Sequence, residues 1–202
     1  MYFQYFNANT WKFTNRTETD VKQSDDFRTW DLKTIYKEIN TLYLSSLNNK
    51  ELLQQTNLDA YTAILEQQKG SSVFRPTLYD VLANRAIDYF NEDKNNIAEP
   101  ANAFSINDKK YFATVADFVA LPIKTNNQNT QDYNAIKVFQ DLLNFRLKDK
   151  NNLDALADAD LKRLLYVKNH YYNKEENENL YYNSLQRIRS EYSKCNVGAS
   201  IN

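Results

Sequence analysis

The residue types that most often catalyse reactions or hold metals are scarce in this chain. His170 is the only histidine and Cys195 the only cysteine, so two imidazoles cannot meet at a metal within these 202 residues. His170 falls near the end of a predicted helix, where the helix dipole favours a partly exposed, positively charged side chain. Cys195 follows Ser193-Lys194 without a nearby base or basic cluster to activate its thiol. We therefore expect neither a metal site nor a catalytic cysteine.

Carboxylates are numerous, and a glycosidase needs only two of them at a set separation. Asp154 and Asp158 are one helical turn apart, with Asp160 close by. Acidic residues in a first helical turn are ordinarily explained by the helix dipole, and nothing in the neighbouring sequence indicates a buried catalytic pair. Phosphate-loop, Gly-x-Ser-x-Gly and Cys-x-x-Cys patterns are missing. The sequence predicts a protein that is not an enzyme, with no catalytic residue and no cofactor.

Aromatic residues favour a binding role instead, because the chain has 15 tyrosines. Tyr171-Tyr172 and Tyr181-Tyr182 flank the last predicted loop, and exposed rings stack on sugars or pack against partner proteins. Neighbouring residues on a helix point about 100° apart, so we expect one ring of each pair to face the core.

Charge and hydropathy exclude two further classes of function. A net charge of −1 and a pI near 5.9, with no basic run longer than two residues, predict no binding to nucleic acid. The longest apolar stretch, Phe118 to Ile123, is far shorter than the roughly 20 residues of a membrane-spanning helix. The first residues lack the features of a signal peptide, so any export signal would lie outside this segment.

The fold class follows from glycine poverty and from helical periodicity. Only two glycines are present, whereas β-sandwiches and barrels need many tight turns. Apolar residues recur with helical spacing, and Thr77 with Asp80 forms an approximate capping box at one helix start. We predict an all-α protein that is at least half helical. Its first nine residues are expected to be the end of a helix, followed by an extended piece at 11–13. The predicted helices cover 32–43, a short stretch that starts within 56–59 and ends at 65, and then 78–90, 131–149, 153–172 and 178–194. The segment 91–110 is expected to be a loop. The pattern of 112–119 fits a short helix or a strand, and we favour the helix, with Leu82 and Ile87 in the core.

The last third suggests a tetratricopeptide-like hairpin, because two of its helices share one pattern of small and apolar residues at a constant offset. Two copies leave regular repeat packing and irregular helical packing both open. The predicted organisation is a helix end and extended lead-in at 1–30, a helical subdomain at 31–125, and a hairpin plus one unpaired helix at 126–202. The unpaired helix would expose an apolar stripe that forms a candidate interaction surface: Tyr181, Leu185, Ile188 and Tyr192.

The segment from Phe74 to Ala86, FRPTLYDVLANRA, resembles the YRPTLYDFLAHRAL segment in the N-terminal region of large alpha-2-macroglobulin family proteins of Bacteroidetes. Further segments resemble the same region in the same order: Trp11 to Thr17, Thr29 to Leu32, Ala135 to Asp149 and Asp158 to His170. The resemblance implies a partly tetratricopeptide-like region ahead of β-sandwich domains, in an exported protein that traps or inhibits proteases. The bait region and thioester cysteine would lie downstream.

The resemblance therefore implies a non-catalytic scaffold or interaction domain within a larger protein, located in the periplasm or at the outer membrane. Its expected partners are other domains of the same parent chain and proteins at the cell surface or in the periplasm. The alternative is a free-standing helical module of a bacterial surface lipoprotein that binds a glycan or a peptide. The length of the natural open reading frame separates the two.

Overall fold

The computed structural model describes residues 1–14, 16–17, 24–92, 103–128 and 130–197. Over these ranges the chain forms ten α-helices and no β-strand, which confirms the all-α prediction. The helices are α1 (Tyr2–Ala8), α2 (Thr10–Thr14), α3 (Leu32–Ser45), α4 (Lys50–Gln55), α5 (Ser71–Phe74), α6 (Leu78–Phe90), α7 (Val115–Ala120), α8 (Gln131–Lys148), α9 (Leu153–His170) and α10 (Lys174–Glu191). Short 3₁₀ turns occur at Phe27–Thr29, Leu58–Tyr61 and Lys109–Phe112.

Helices α8, α9 and α10 follow one another with short connections, and α9 packs against both of the others. This confirms the three helices predicted for the last third, although α10 begins at Lys174, where Asn173 accepts a hydrogen bond from the Glu175 amide at 3.1 Å. Helix α6 lies against α8, and Tyr79 meets Phe145 edge-on at 5.7 Å. One apolar core therefore includes side chains from both the predicted subdomain at 31–125 and the predicted region at 126–202.

The start of α6 is fixed by the capping box that the sequence predicts. The Asp80 amide donates to Thr77 Oγ1 at 3.4 Å, and the Thr77 amide donates to Asp80 Oδ2 at 2.9 Å. The buried Arg146 of α8 adds a partner that the sequence analysis missed. Its Nε donates to Asp80 Oδ1 at 2.8 Å, and its Nη2 donates to Asp80 Oδ2 and Thr77 Oγ1. The first turn of α6 is thereby joined to the last turn of α8.

Two local predictions in the first half are wrong. Residues 11–13 are helical in α2 rather than extended, because this places Phe13 against Phe6 in the core at a ring distance of 5.6 Å. The helix predicted to reach residue 65 is only a 3₁₀ turn over Leu58–Tyr61, since Leu58 alone is buried and Ile64 is 77% exposed.

The connection before α8 agrees with the sequence in part. The expected loop over 91–110 contains residues 93–102, which lie outside the described residues, and it ends where a 3₁₀ turn begins at Lys109. The short helix expected within 112–119 is present as α7. Thr114 caps it by accepting from the Asp117 amide at 3.3 Å, which is why the helix begins at Val115.

Ile87 is buried as predicted, whereas Leu82 is only partly buried. Both lie on α6, but Leu82 borders an open groove beside α3 instead of a packed neighbour. The apolar periodicity of α6 therefore predicted its inner face correctly and overestimated the width of that face.

Replacing Asp80 by Asn should destabilise the protein by about 3–5 kcal/mol, because it removes the more buried of the two carboxylates that pair with the Arg146 guanidinium and leaves only the partly exposed Asp149 at 3.1 Å. Equilibrium urea unfolding measures the change. Asp141→Asn is the matched control, since Asp141 forms an exposed ion pair with Lys50 at 2.7 Å, and such pairs contribute about 0.2–1 kcal/mol. Equal losses for the two variants would contradict a central role for the Asp80 pair.

Truncation of Ile87 and of Leu82, both on α6, should lower the free energy of unfolding by different amounts. Ile87→Ala creates a cavity in a packed core and should cost about 2–5 kcal/mol. Leu82→Ala removes a side chain that borders an open groove, so its cost should stay below about 2 kcal/mol. Urea unfolding of both variants measures the difference. A larger loss of unfolding free energy for Leu82→Ala than for Ile87→Ala would show that the groove is closed in solution.

Candidate functional site

The acidic residues singled out in the sequence are used for structural pairing. Asp160 is fully buried, which the sequence did not indicate, and it accepts two hydrogen bonds from the equally buried Arg163. Arg163 also donates to the backbone carbonyls of Tyr111 and Ala113. The pair ties α9 to the turn that precedes α7. Its charges are matched within the fold, although Asp160 Oδ2 is buried without a hydrogen-bond partner among the described residues.

Asp154 and Asp158 are likewise engaged with neighbours. Asp158 lies 3.5 Å from the guanidinium of Arg75, in the loop before α6. Burial raises the pKa of Asp158, and the Arg75 charge opposes that rise. Asp154 accepts a hydrogen bond from the Asn196 amide at 2.7 Å. The two carboxylates therefore serve different contacts.

His170 lies near a helix end, as predicted, and is the last residue of α9, two residues before the predicted end. It joins three helices. Its Nδ1 lies 2.8 Å from Asp132 Oδ1 on α8, and its Nε2 lies 3.1 Å from Asn91 Oδ1 at the end of α6. Its ring stacks on Tyr166 at 4.1 Å, and the Tyr166 hydroxyl donates to the same Asp132 oxygen. Both imidazole nitrogens are therefore occupied by contacts that hold helix ends together. Across the described ranges, no three His, Cys, Asp or Glu side chains are grouped so as to hold a metal ion.

Cys195 is buried behind the end of α10, against α9. Burial raises the pKa of its thiol, and the nearby Asp154 carboxylate adds to the rise. A nucleophilic cysteine needs the opposite environment, since only a lowered pKa provides thiolate at neutral pH. Cys195 therefore acts as a small apolar residue of the core.

The paired tyrosines are arranged much as expected. Tyr171 is buried and Tyr172 is 77% exposed. In the second pair Tyr182 is 61% exposed, while Tyr181 packs partly against the core and lies under the Lys168 ammonium group at 4.8 Å. Each pair thus presents one ring to solvent.

The apolar stripe expected to be exposed on the C-terminal helix is largely covered, so that expectation is wrong for Ile188 and Tyr192. Both are buried, because the helix packs on α9 and the chain beyond Tyr192 folds back towards the start of α9. Ser184 allows this close approach, and its hydroxyl donates to the Phe112 carbonyl at 3.2 Å. Tyr181 and Leu185 remain partly exposed. With Tyr182 they form what we call the α10 face, and its role in binding stays a prediction.

A second surface was missed by the sequence analysis. An open groove with a volume of about 270 Å³ lies between α1, α3 and α6. Its lining is mainly apolar and aromatic and consists of Met1, Tyr2, Phe3, Ile39, Leu42, Tyr43, Ser46, Leu82 and Arg85. We call it the N-terminal groove. The available signal was that Leu42 and Leu82 each extend the apolar stripe of their helix beyond the core.

The floor of the N-terminal groove is held by aromatic packing. Tyr43 stacks on Tyr89 at 4.3 Å with nearly parallel rings, and Phe3 meets Tyr89 edge-on at 4.9 Å. The buried Tyr89 hydroxyl donates to Asn40 Oδ1 at 2.7 Å, and burial raises the pKa of Tyr89 far above its usual range. Rings fixed in this way give the groove a defined shape before any ligand arrives.

In comparisons with known proteins, no family model, curated protein or solved structure matches the chain. In the described part of the chain, no helix is both long and apolar enough to cross a bilayer.

Cys195 should react slowly with iodoacetamide in the folded protein. Its burial shields the thiol from the reagent, and the raised pKa lowers its share of reactive thiolate relative to an ordinary cysteine at pH 8. Mass spectrometry of native and urea-unfolded protein at this pH measures the two rates, and the unfolded chain, whose thiol is solvated, is the internal control. Comparable rates in the two states would show that the tail beyond Tyr192, which carries Cys195, does not bury the thiol against the rest of the fold.

Proposed function

We propose that this chain is a non-catalytic helical scaffold and interaction region of a large exported protein of the alpha-2-macroglobulin type. The observation that supports this most directly is the use made of the FRPTLYDVLANRA segment. Its Thr77 and Asp80 cap α6 and bind the buried Arg146, and its Arg75 pairs with Asp158. The segment that resembles the family thus builds the centre of the fold, as a scaffold region requires.

The proposal assigns the docking of neighbouring domains to the α10 face. Tyr181, Tyr182 and Leu185 place aromatic and apolar surface beside one another on an outer helix. Tyrosine is enriched at protein interfaces because its ring buries a large area while its hydroxyl stays hydrogen-bonded. Partners would be later domains of the same parent chain, or proteins of the periplasm or cell surface. Protease trapping itself would belong to the downstream domains.

A free-standing binding module remains the second candidate, and one feature favours it. A polar depression with a volume of about 510 Å³ is lined by side chains of the kind that hydrogen-bond sugar hydroxyls or peptide amides: Asn107, Asp108, Lys109, Tyr171, Asn173 and Glu176. Asn173 and Asp108 also cap helical turns, so part of their hydrogen-bonding capacity is already used. We therefore rank this function second.

The first test is genetic and structural. We expect the natural open reading frame to continue into β-sandwich domains, and adding the segment after Asn202 should raise the thermal midpoint of the chain. In this longer chain, replacing both Tyr181 and Leu185 by Ser should abolish most of the gain, because docking onto the α10 face would lose its apolar contacts.

Tyr172→Ser is the matched control, since Tyr172 is exposed but lies outside the α10 face. The gain should survive in this variant. A reading frame that ends near Asn202, together with binding of a glycan or peptide in the polar depression, would replace the scaffold proposal by the free-standing module.

A further inference from the structure

We propose that the N-terminal groove binds a peptide segment that inserts a large apolar side chain between α3 and α6 and places a carboxylate against Arg85. The inference rests on the proposed role as an interaction region and specifies the chemistry of one partner. It concerns a surface that shares no residue with the α10 face.

Several apolar side chains that line the N-terminal groove are left uncovered by the fold. Leu42 is 46% exposed and Leu82 only partly buried, although each continues the apolar stripe of its helix. Phe3 and Tyr43 form the aromatic floor beside them. A bulky side chain seated here would remove all four from water, which is the usual energetic basis of an interface anchor.

Arg85 provides the charge of the N-terminal groove. It supplies the only charged side chain of the groove lining, and it makes no ion pair or hydrogen bond within the described residues. The nearest acid on its own helix, Asp88, is bound by Lys162 of α9. An arginine without a counter-charge among the described residues favours an anionic partner, and its guanidinium matches a carboxylate in geometry.

The size of the groove favours a peptide side chain over a cofactor or a lipid chain. Pockets for drug-sized ligands measure about 300–1,000 Å³, and this groove, at about 270 Å³, is smaller and open to solvent. An open groove between two helices is the setting in which helical or extended peptides bind by one or two anchor residues. A buried fatty chain would need an enclosed tunnel instead.

The site also meets the requirement of being formed in advance. The stacked pair of Tyr43 and Tyr89 and the hydrogen bond from Tyr89 to Asn40 hold the floor in place. A preformed groove costs little ordering entropy on binding, so a short peptide is sufficient to test it.

The test uses two capped peptides, acetyl-Leu-Phe-Glu-Ala amide and its counterpart with Gln in place of Glu. Met1 is the only methionine of the chain and lines the groove, so a carbon-13 methyl label on it reports binding at this site alone. We expect the Glu peptide to shift the Met1 methyl signal and the backbone amides of Leu82 and Arg85. It should bind about fivefold more tightly than the Gln peptide, the preference that one partly exposed ion pair provides.

Arg85→Gln should remove the preference for Glu while leaving weak binding of both peptides. Arg189→Gln, which neutralises an exposed arginine of α10, should leave the preference intact. Leu42→Asn should weaken binding of both peptides, whereas Leu165→Asn should not; the two leucines are matched, being 46% and 48% exposed. Equal affinity of the two peptides, or shifts that spare Met1, would overturn the proposal. Tighter binding of decanoate than of either peptide would assign the groove to a lipid instead.

These outcomes are independent of the docking test on the α10 face. Failure of the peptides with a preserved stabilisation by the downstream segment would reject the groove proposal alone. The reverse result would reject docking at the α10 face and leave the groove as the binding surface.

Discussion

The buried contact of Arg146 with Asp80 and Thr77 is the constraint on which the rest of the structure depends. A guanidinium that is 1% exposed must be paired, because an uncompensated buried charge is far costlier than the pair is stabilising. Asp80 offers both carboxylate oxygens only while α6 starts at its capping box. The ion pair therefore fixes where α6 begins and how it lies on α8. A hydrophobic contact alone would permit sliding between the two helices, whereas this geometry does not.

The position of α6 on α8 determines both outer surfaces of the protein. On one side α6 carries Leu82 and Arg85 into the N-terminal groove. On the other side α8 supports α9, and α9 in turn supports α10. Asp132 and His170 reinforce this order, because they join the start of α8 to the end of α9. A shift of α6 along α8 would consequently alter the N-terminal groove. A rotation of α8 would move α9, on which α10 and its outer face are packed.

Sequence reasoning recovered the features whose information is local. The capping box at Thr77 and the long apolar stripes give helix starts and inner faces directly, because both depend on residues three or four positions apart. Contacts between distant parts of the chain were not recoverable in this way. Nothing near Arg146 in the sequence indicates that its partner lies in α6, and nothing near Trp11 shows that Phe13 must turn inward onto Phe6. The same limit explains the C-terminal helix, since periodicity gave its apolar stripe but not the tail that covers Ile188.

The distribution of charge separates the parts of this protein that maintain the fold from those available to partners. Inside, Asp80, Asp158 and Asp160 are each matched by an arginine, so these carboxylates stabilise contacts between elements. Outside, Arg85 faces a groove of apolar and aromatic side chains without a counter-charge from the described residues. A fold that pairs three carboxylates with arginines could have paired one surface arginine at little cost in sequence. Uncovered leucine side chains beside an arginine with no counter-charge among the described residues are what an acidic, apolar partner would contact under the proposed interaction role.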